Sequence, residues 1–141
     1  MLTVPIKYAS HIQLTEKQMV SRVRKGIKLL NTKNPGWHKH VRLKKLNLFD
    51  DESCILGQVA AATIDGNFYD GTDGLFNGGE YLGEDEAFNT AAPYGLAIEC
   101  EVQDNISDED NEKLHKQLTQ VWKNEFKKFQ AARRLVKEYY E

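Results

Sequence analysis

Basic residues are missing from the middle of this 141-residue chain. Between Lys45 and Lys113 lie 67 residues that contain 17 Asp or Glu and not one Lys, Arg or His. Such a density of carboxylates would repel a nucleotide, and the glycines within it match no phosphate-binding pattern. The sequence therefore gives no indication of a nucleotide-binding loop in this segment.

The two ends of the chain carry the opposite charge. Residues 1–45 hold 11 Lys or Arg against a single Glu, and residues 113–141 hold 8 basic against 3 acidic residues. The formal net charge of −2 is thus the sum of a basic, an acidic and a basic block. This asymmetry is more informative about partners than the sum, because separated charge blocks favour contacts with charged macromolecules.

Long apolar runs and disulfide-forming cysteines are also lacking. No run approaches the roughly 18 apolar residues of a membrane span. The first residues, MLTVPIKYASHIQL, lack the charged and apolar regions of a secretory signal. Two isolated cysteines, Cys54 and Cys100, make no disulfide framework. We therefore expect a protein of the cytoplasm with reduced thiols and no membrane partner.

Composition and length favour a single domain over residues 1–141. With 40% hydrophobic and 28% charged residues, the chain has the composition of an ordinary globular domain. We expect three segments: a basic helical part (1–45), an acidic, glycine-rich middle (46–112) and a long C-terminal helix (107–140). The fold class that these segments predict is mainly α with a small β element (α+β).

Residues 1–13 are expected to be irregular, and a helix is predicted to follow them. Thr15 is suited to its N-cap, and Gln18, three residues later, completes a capping-box pattern. Pro35 ends the helix, because it pushes the preceding residue out of the α region. Apolar residues at helical spacing form the predicted core face: Met19, Val23, Ile27 and Leu30.

The middle segment is predicted to contain a helix, a loop and a strand. ESCILGQVAAA indicates a short helix that begins behind Asp50 or Ser53. The stretch from Asp65 to Ala87 has six glycines and predicts a loop-rich excursion. GLAIECEV alternates strictly, which predicts a half-buried strand. The buried face of this strand would hold Leu96, Ile98, Cys100 and Val102.

From Ser107 the chain is predicted to form one helix as far as Tyr140. Ser107 suits the N-cap, and the acidic residues behind it suit the positive end of the helix dipole. At 1.5 Å per residue the helix would be about 51 Å long, whereas a globule of this size is roughly 37 Å across. Either the helix breaks or its end overhangs. A homodimer through the C-terminal helix would cover an overhang, with contacts from Phe126, Phe129, Leu135 and Tyr139.

Candidate catalytic and metal-binding residues are few. Cys54 lies at a predicted helix start, but the three acids before it disfavour a thiolate, so a small buried apolar residue is the better interpretation. His38 and His40 have no third ligand at a recognisable zinc spacing. A calcium loop counted from Asp65 would need Gly at its sixth and Glu at its twelfth position, and neither is present. We therefore predict no catalytic residue, no metal and no cofactor, in a protein that is not an enzyme.

Two sets of charged residues are candidates for binding. Clustered carboxylates accelerate the approach of a cationic partner, and the acidic set comprises Glu80, Glu84, Asp85, Glu86, Asp108, Glu109, Asp110 and Glu112. Lys and Arg side chains contact nucleic-acid phosphates, and the alternative basic set comprises Arg22, Arg24, Lys25, Lys28, Lys127, Lys128, Arg133 and Arg134. A third interpretation is that the basic segments fold over the acidic middle and neutralise it.

The order of several short motifs resembles a family of small uncharacterised proteins encoded by phages and prophages. The motifs are PGW (35–37), CILGQ (54–58), FYDG (68–71), YGL (94–96) and LTQVWK (118–123), and the resemblance covers roughly residues 20–128. The lysine-rich N-terminal block and the basic tail depart from the pattern and are typical of a relative from a low-GC Gram-positive host. The family offers no established catalytic residue to carry over.

The resemblance implies a phage or mobile-element origin and a compact, mainly helical fold. We expect the protein to lie in the cytoplasm of the host cell. Small phage accessory proteins often inhibit host defence, as anti-CRISPR and anti-restriction proteins do. We therefore expect a non-enzymatic protein that binds and inhibits a positively charged host protein. The expected partner is a defence nuclease with a cationic nucleic-acid channel, which the acidic segment would occupy as a mimic of DNA.

Overall fold

The computed structural model describes residues 14–140, with side chains as far as residue 136. This part of the chain forms six α-helices and two short 3₁₀ helices, and no strand is present within it. Residues 1–13, for which irregular chain was predicted, lie outside the described residues. The helices are α1 (Glu16–Lys33), η1 (Trp37–His40), α2 (Ile55–Thr63), α3 (Phe68–Asn77), α4 (Glu84–Ala91), η2 (Ala92–Tyr94), α5 (Cys100–Asp104) and α6 (Asp108–Tyr140).

The first helix follows the sequence pattern. The Thr15 side chain accepts a hydrogen bond from the backbone of Gln18, and the Gln18 side chain accepts one from the backbone of Thr15, which confirms the capping box. The helix ends at Lys33, two residues before Pro35. The predicted apolar face is buried as expected: Met19, Val23, Ile27 and Leu30.

The segment predicted to be a glycine-rich loop contains α3, so that prediction was wrong for residues 68–77. The Asn67 side chain accepts hydrogen bonds from the backbone of Tyr69 and Asp70, and the Asp70 carboxylate accepts one from the backbone of Asn67. This capping box starts the helix despite two interior glycines. Gly71 also lets α3 lie against α2, since a Cβ there would stand 3.0 Å from the carbonyl oxygen of Leu56.

The predicted strand is also absent from the structure, and the small β element was therefore wrong. Leu96, Ala97 and Ile98 are buried in succession, so no polar face alternates with an apolar one. The backbone nitrogen of Leu96 donates back to Ala91, and Cys100 begins α5. The nitrogen of Cys100 donates to the Asn89 side chain, so a turn and a side chain, not a partner strand, accept these two backbone hydrogen bonds. The mainly helical part of the prediction is confirmed.

The core lies where α1, η1 and α6 meet. Trp37 and Trp122 are fully buried with their rings edge to face at 6.3 Å, and Phe126 packs on Trp37 at 5.5 Å. Each indole nitrogen has a partner. Trp37 donates to the side-chain oxygen of Asn31 over 2.8 Å, and Trp122 donates to the backbone oxygen of Gly95 over 2.6 Å. These bonds remove the cost of burying the two polar N–H groups.

The C-terminal helix does not break. Ser107 caps it through a hydrogen bond from the backbone of Asp110, and its 33 residues span about 50 Å. Leu135 and Val136 are 67% and 57% exposed, so the end overhangs the core, which was one of the two predicted outcomes. The side chain of Tyr139, a residue of the predicted homodimer contact, lies outside the described residues. None of the described helices is both long enough and apolar enough to cross a bilayer.

Candidate functional site

The acidic set begins at the N-terminus of α4. Glu84, Asp85 and Glu86 occupy its first turn and are exposed, as is Glu80 in the preceding loop. Negative side chains in this position are stabilised by the helix dipole. Among the residues that the structure describes, no Lys or Arg forms an ion pair with these four carboxylates.

The short helix α5 brings further carboxylates to the same place. The Cys100 thiol lies 3.7 Å from both the backbone oxygen and a carboxylate oxygen of Asp85. Burial and the nearby charges of Asp85, Asp104 and Glu84 together raise the pKa of Cys100 to about 11. Asp85 therefore contacts Cys100, and Asp104 and Glu84 lie near enough to act on its thiol. We call Glu84, Asp85, Glu86 and Asp104 the acidic surface.

The second acidic cluster of the predicted set lies at the start of α6. Asp108, Glu109 and Glu112 are exposed, and Asp110 is half-buried. Contact with α5 links this cluster to the acidic surface, because the amide of Asn111 donates to the side-chain oxygen of Gln103 over 3.2 Å. Glu109 is paired with Lys113, four residues along the same helix, at 3.1 Å.

Part of the basic set lines a groove between α1 and α6, with a volume of about 740 Å³. We call it the basic groove; its cationic side chains are Lys17, Arg24, Lys25, Lys28 and Lys128. Glu125 lies at its base, with a side chain that is 5% exposed, bonded to Arg24 at 2.6 Å and to Lys128 at 3.0 Å. Burial raises the pKa of Glu125, but the hydrogen bonds from these two cations outweigh burial and lower it.

The remaining predicted basic residues do not join that groove. Arg22 is half-buried and forms a two-pronged ion pair with Glu99 at 2.5 and 3.2 Å. Arg133 donates to Nε2 of His38 over 2.6 Å and lies over the Phe129 ring at 5.7 Å. Lys127 and Arg134 are exposed on α6. The structure therefore divides the basic set among three places.

Two described ion pairs join the acidic middle to the basic ends, as the predicted neutralisation requires: Lys113 with Glu109, and one pair from the N-terminal block. Arg22 of the basic N-terminal block pairs with Glu99 of the acidic middle. The other described pair that involves this block joins Arg24 to Glu125, which belongs to the C-terminal block. The other described carboxylates of the predicted acidic set lie in the loop before α4, on α4 and at the start of α6, whereas the cations of the predicted basic set lie along α1 and the later turns of α6.

A cavity of about 530 Å³ opens beside the acidic surface, between the chain at 47–51 and α3, α4, α5 and α6. Its walls include two groups of rings. Phe68 stacks on Phe88 at 5.4 Å, and the Tyr69 ring meets both edge to face. The Phe49 ring, 48% exposed, tilts against His115 at 4.8 Å. We call this space the aromatic cavity.

Cys54 and His115 both line the aromatic cavity, but neither is prepared for nucleophilic catalysis. Burial and the charge of Asp51 together raise the pKa of Cys54 to about 12. Burial lowers the pKa of His115, although a 2.8 Å hydrogen bond from Nδ1 to the Asn111 carbonyl opposes that shift. At neutral pH the thiol is protonated and the imidazole is uncharged. No hydrogen bond joins the two side chains.

No group of three or more potential metal ligands converges within the part of the chain that the structure describes. His38 is held by Arg133, and His40 is exposed. Asp70, the sixth residue of the rejected calcium loop, caps α3 instead. Comparisons of the chain with protein-family models, with curated proteins and with solved structures find no match.

Sequence reasoning named the residues of both charged sets but missed the aromatic cavity. The cavity combines side chains from seven stretches of chain that are up to 68 residues apart, from Asn47 to His115. One indication was present in the sequence. Phe68 and Tyr69 directly follow an Asn that heads an Asn-x-x-Asp capping box, which would have placed the two rings on a helix start.

Proposed function

We propose that this chain is a non-enzymatic protein of phage or prophage origin that binds a positively charged host protein and blocks its path for nucleic acid. The partner is a defence nuclease with a cationic channel, as for anti-CRISPR proteins that mimic DNA. The observation that carries this proposal is the convergence of Glu84, Asp85 and Asp104 around Cys100, with a second acidic cluster joined to them through α5.

Electrostatics explain why such a surface would bind. Exposed carboxylates without cationic partners sum to a potential that attracts a basic protein and accelerates its encounter. At about 0.15 M salt such charges are screened beyond roughly 8 Å, so the neighbouring acids act together over contact distances. Binding through this surface is therefore expected to weaken as salt increases.

The test is quantitative affinity capture from a nuclease-treated lysate of a Gram-positive host. One bait is the natural chain. The second carries Glu84→Gln, Asp85→Asn and Glu86→Gln, which remove charge with little change in shape. The third is a control with the same loss of charge elsewhere: Glu16→Gln, Glu52→Gln and Asp65→Asn.

We expect a stoichiometric protein on the first and third baits that is lost on the second and at high salt. The captured protein should carry a nuclease or nucleic-acid-binding activity that the natural chain inhibits. Equal capture by all three baits, or capture that survives high salt, contradicts the proposal. Circular dichroism of the three chains checks that each one is folded.

A second candidate function, nucleic-acid binding, is favoured by the basic groove. Cations from both basic blocks line it, including Lys25 and Lys28 of α1 and Lys128 of α6. Neutralising phosphates with these side chains would release counterions, so affinity would fall steeply with salt. The test is a gel-shift titration of duplex and single-stranded DNA and RNA at low salt. Binding that Lys25→Gln and Lys28→Gln weaken supports this function; no binding at low salt excludes it.

A further inference from the structure

We propose that the aromatic cavity receives an arginine side chain of the cationic partner. This inference rests on the proposed function and adds the specific contact that general charge attraction lacks. A surface of carboxylates alone recognises any basic protein, whereas a pocket beside it selects a partner that presents a guanidinium group at one position.

The rings of the cavity suit a planar cation. Phe68, Tyr69 and Phe88 form one group of rings with centroids 5.3–5.8 Å apart, and the exposed Phe49 ring also lines the cavity. A guanidinium group stacks on aromatic faces and is attracted by the negative charge of the ring face. A volume of about 530 Å³ lies within the range of pockets that hold one ligand group.

Carboxylates at the cavity supply the opposite charge. Asp50 and Asp51 line it and are exposed. The Asp51 carboxylate lies close enough to raise the pKa of both Cys54 and Tyr69. Its backbone is fixed, because the Asp51 carbonyl accepts a 2.8 Å hydrogen bond from the nitrogen of Phe68. Among described residues the Asp51 carboxylate makes no hydrogen bond, so it is available to a ligand.

Among the described residues, no Lys or Arg lines the cavity. His115 is uncharged at neutral pH, so it does not repel a guanidinium group. Its Nδ1 donates to the Asn111 carbonyl, which leaves Nε2 as an acceptor on a ring that lines the cavity. The cavity therefore offers ring faces, a carboxylate and a neutral acceptor, whereas the five donors of a guanidinium group need acceptors.

The experiment is a titration of the full, isotope-labelled chain with N-acetyl-arginine amide, followed by amide chemical shifts. The neutral isostere N-acetyl-citrulline amide and the point-charge analogue N-acetyl-lysine amide are the matched ligands. We expect saturable shifts of residues 47–51, 68–69 and 115 with the arginine ligand, weaker shifts with the lysine ligand and none with the citrulline ligand. Asp51→Asn should weaken arginine binding about tenfold, the effect of losing one hydrogen bond between charged groups.

Glu52→Gln is the control, because Glu52 is adjacent and exposed but does not line the cavity. It should leave arginine binding unchanged, and Phe88→Leu should weaken it by removing a ring. Equal binding of the citrulline ligand overturns the inference, as does equal binding of the lysine ligand. Absence of shifts at the cavity overturns it as well. If only an apolar probe such as indole binds there, the cavity is a small-molecule site and the inference is wrong.

The outcomes separate this inference from the proposed function. In one outcome, capture is lost when Glu84, Asp85 and Glu86 are neutralised, capture is kept with Asp51→Asn, and the natural chain binds no arginine ligand. This outcome supports the proposed function and rejects the arginine pocket. In another outcome, the arginine ligand binds at the cavity but the acidic-surface variant captures the partner as well as the natural chain does. This outcome supports the arginine pocket and rejects the proposed function. Loss of capture in both variants, together with arginine binding, supports both.

Discussion

Gly26 of α1 lies directly beneath the backbone oxygen of Tyr94 in η2, with no room between them for a methyl group. A Cβ at position 26 would overlap that oxygen and would also stand 3.3 Å from the ring of Trp122. The absence of a side chain therefore sets how closely η2 approaches α1 and where the Trp122 indole finds the Gly95 carbonyl. This contact fixes the turn that leads from α4 toward α5 and the acidic surface.

Gly26→Ala is expected to destabilise the fold by about 1–3 kcal/mol, the cost of overpacking a well-filled site. The sign of this change in stability is informative, because helix propensity alone favours Ala over Gly in a helix interior by about 1 kcal/mol and would predict the opposite effect. Urea unfolding followed by circular dichroism measures the free energy of unfolding. An unchanged or increased value would contradict the close approach of η2.

Gly74→Ala is the matched substitution with the opposite expected sign. Gly74 is an exposed interior residue of α3, and a Cβ there would meet no atom within 4 Å. We expect an increase of roughly 0.5–1 kcal/mol in the free energy of unfolding from helix propensity alone. A decrease would indicate that residues 68–77 do not form a helix in solution.

Thr119→Val is expected to cost about 1–3 kcal/mol, because it leaves a buried donor without a partner. The Thr119 hydroxyl accepts a 2.9 Å hydrogen bond from the backbone nitrogen of Leu48 and donates one to the His115 carbonyl. Thr119→Ser keeps the hydroxyl and should recover most of the loss. If Thr119→Ser is destabilised at least as much as Thr119→Val, the loss of the hydroxyl hydrogen bonds does not dominate and the assignment is contradicted.

Stability is expected to fall as the pH decreases through the range in which histidine titrates. Burial lowers the pKa of both His115 and His38 in the folded chain, and Arg133 lowers that of His38 further. As the pH falls, these histidines therefore take up protons in the unfolded chain before they do so in the folded chain. The stabilisation that the two uncharged histidines contribute is complete above a pH of about 6.5 and is lost as the pH falls through their pKa values in the folded chain. Urea unfolding at a series of pH values measures this slope. The double variant His38→Gln, His115→Gln should flatten it, and an unaltered slope would contradict the assignment.

Both thiols are expected to alkylate slowly at neutral pH in the folded chain. Burial and nearby carboxylates raise the pKa of Cys54 to about 12 and that of Cys100 to about 11, so neither forms much thiolate. Cys100 is half-buried and should react before Cys54, which is 2% exposed. Peptide mass spectrometry after timed iodoacetamide treatment gives both rates, with urea-unfolded chain as the control. Rapid alkylation of Cys54 would instead support an enzyme built around that cysteine.

The parts of the fold that local sequence determines were predicted, and those that depend on distant contacts were not. The capping box at Thr15 and the N-cap at Ser107 are local patterns, and both helices begin where predicted. Six glycines between Asp65 and Ala87 outweighed the capping box at Asn67, so α3 was missed. Alternation over only seven or eight residues does not separate a strand from a turn followed by a helix, because both can bury apolar side chains.

The candidate surfaces were likewise predictable where local sequence determines them and not where they depend on contacts between distant residues. Exposure of Glu84, Asp85 and Glu86 was predictable from a charged stretch without cations, whereas their position beside Asp104 depends on the packing of α5 on α4. The pairing of Arg22 with Glu99 joins residues 77 positions apart, so spacing alone gave no reason to separate Arg22 from Lys25. The aromatic cavity depends on the same tertiary packing.

The most direct test of the central claim compares two variants of the chain in capture from nuclease-treated Gram-positive lysate. One neutralises Glu84, Asp85 and Glu86, and the other carries Lys25→Gln and Lys28→Gln in the basic groove. We expect one stoichiometric protein that is lost with the first variant, kept with the second and released by high salt. Retention that requires added nucleic acid and is lost only with the second variant would contradict it, and would assign the function to the basic groove.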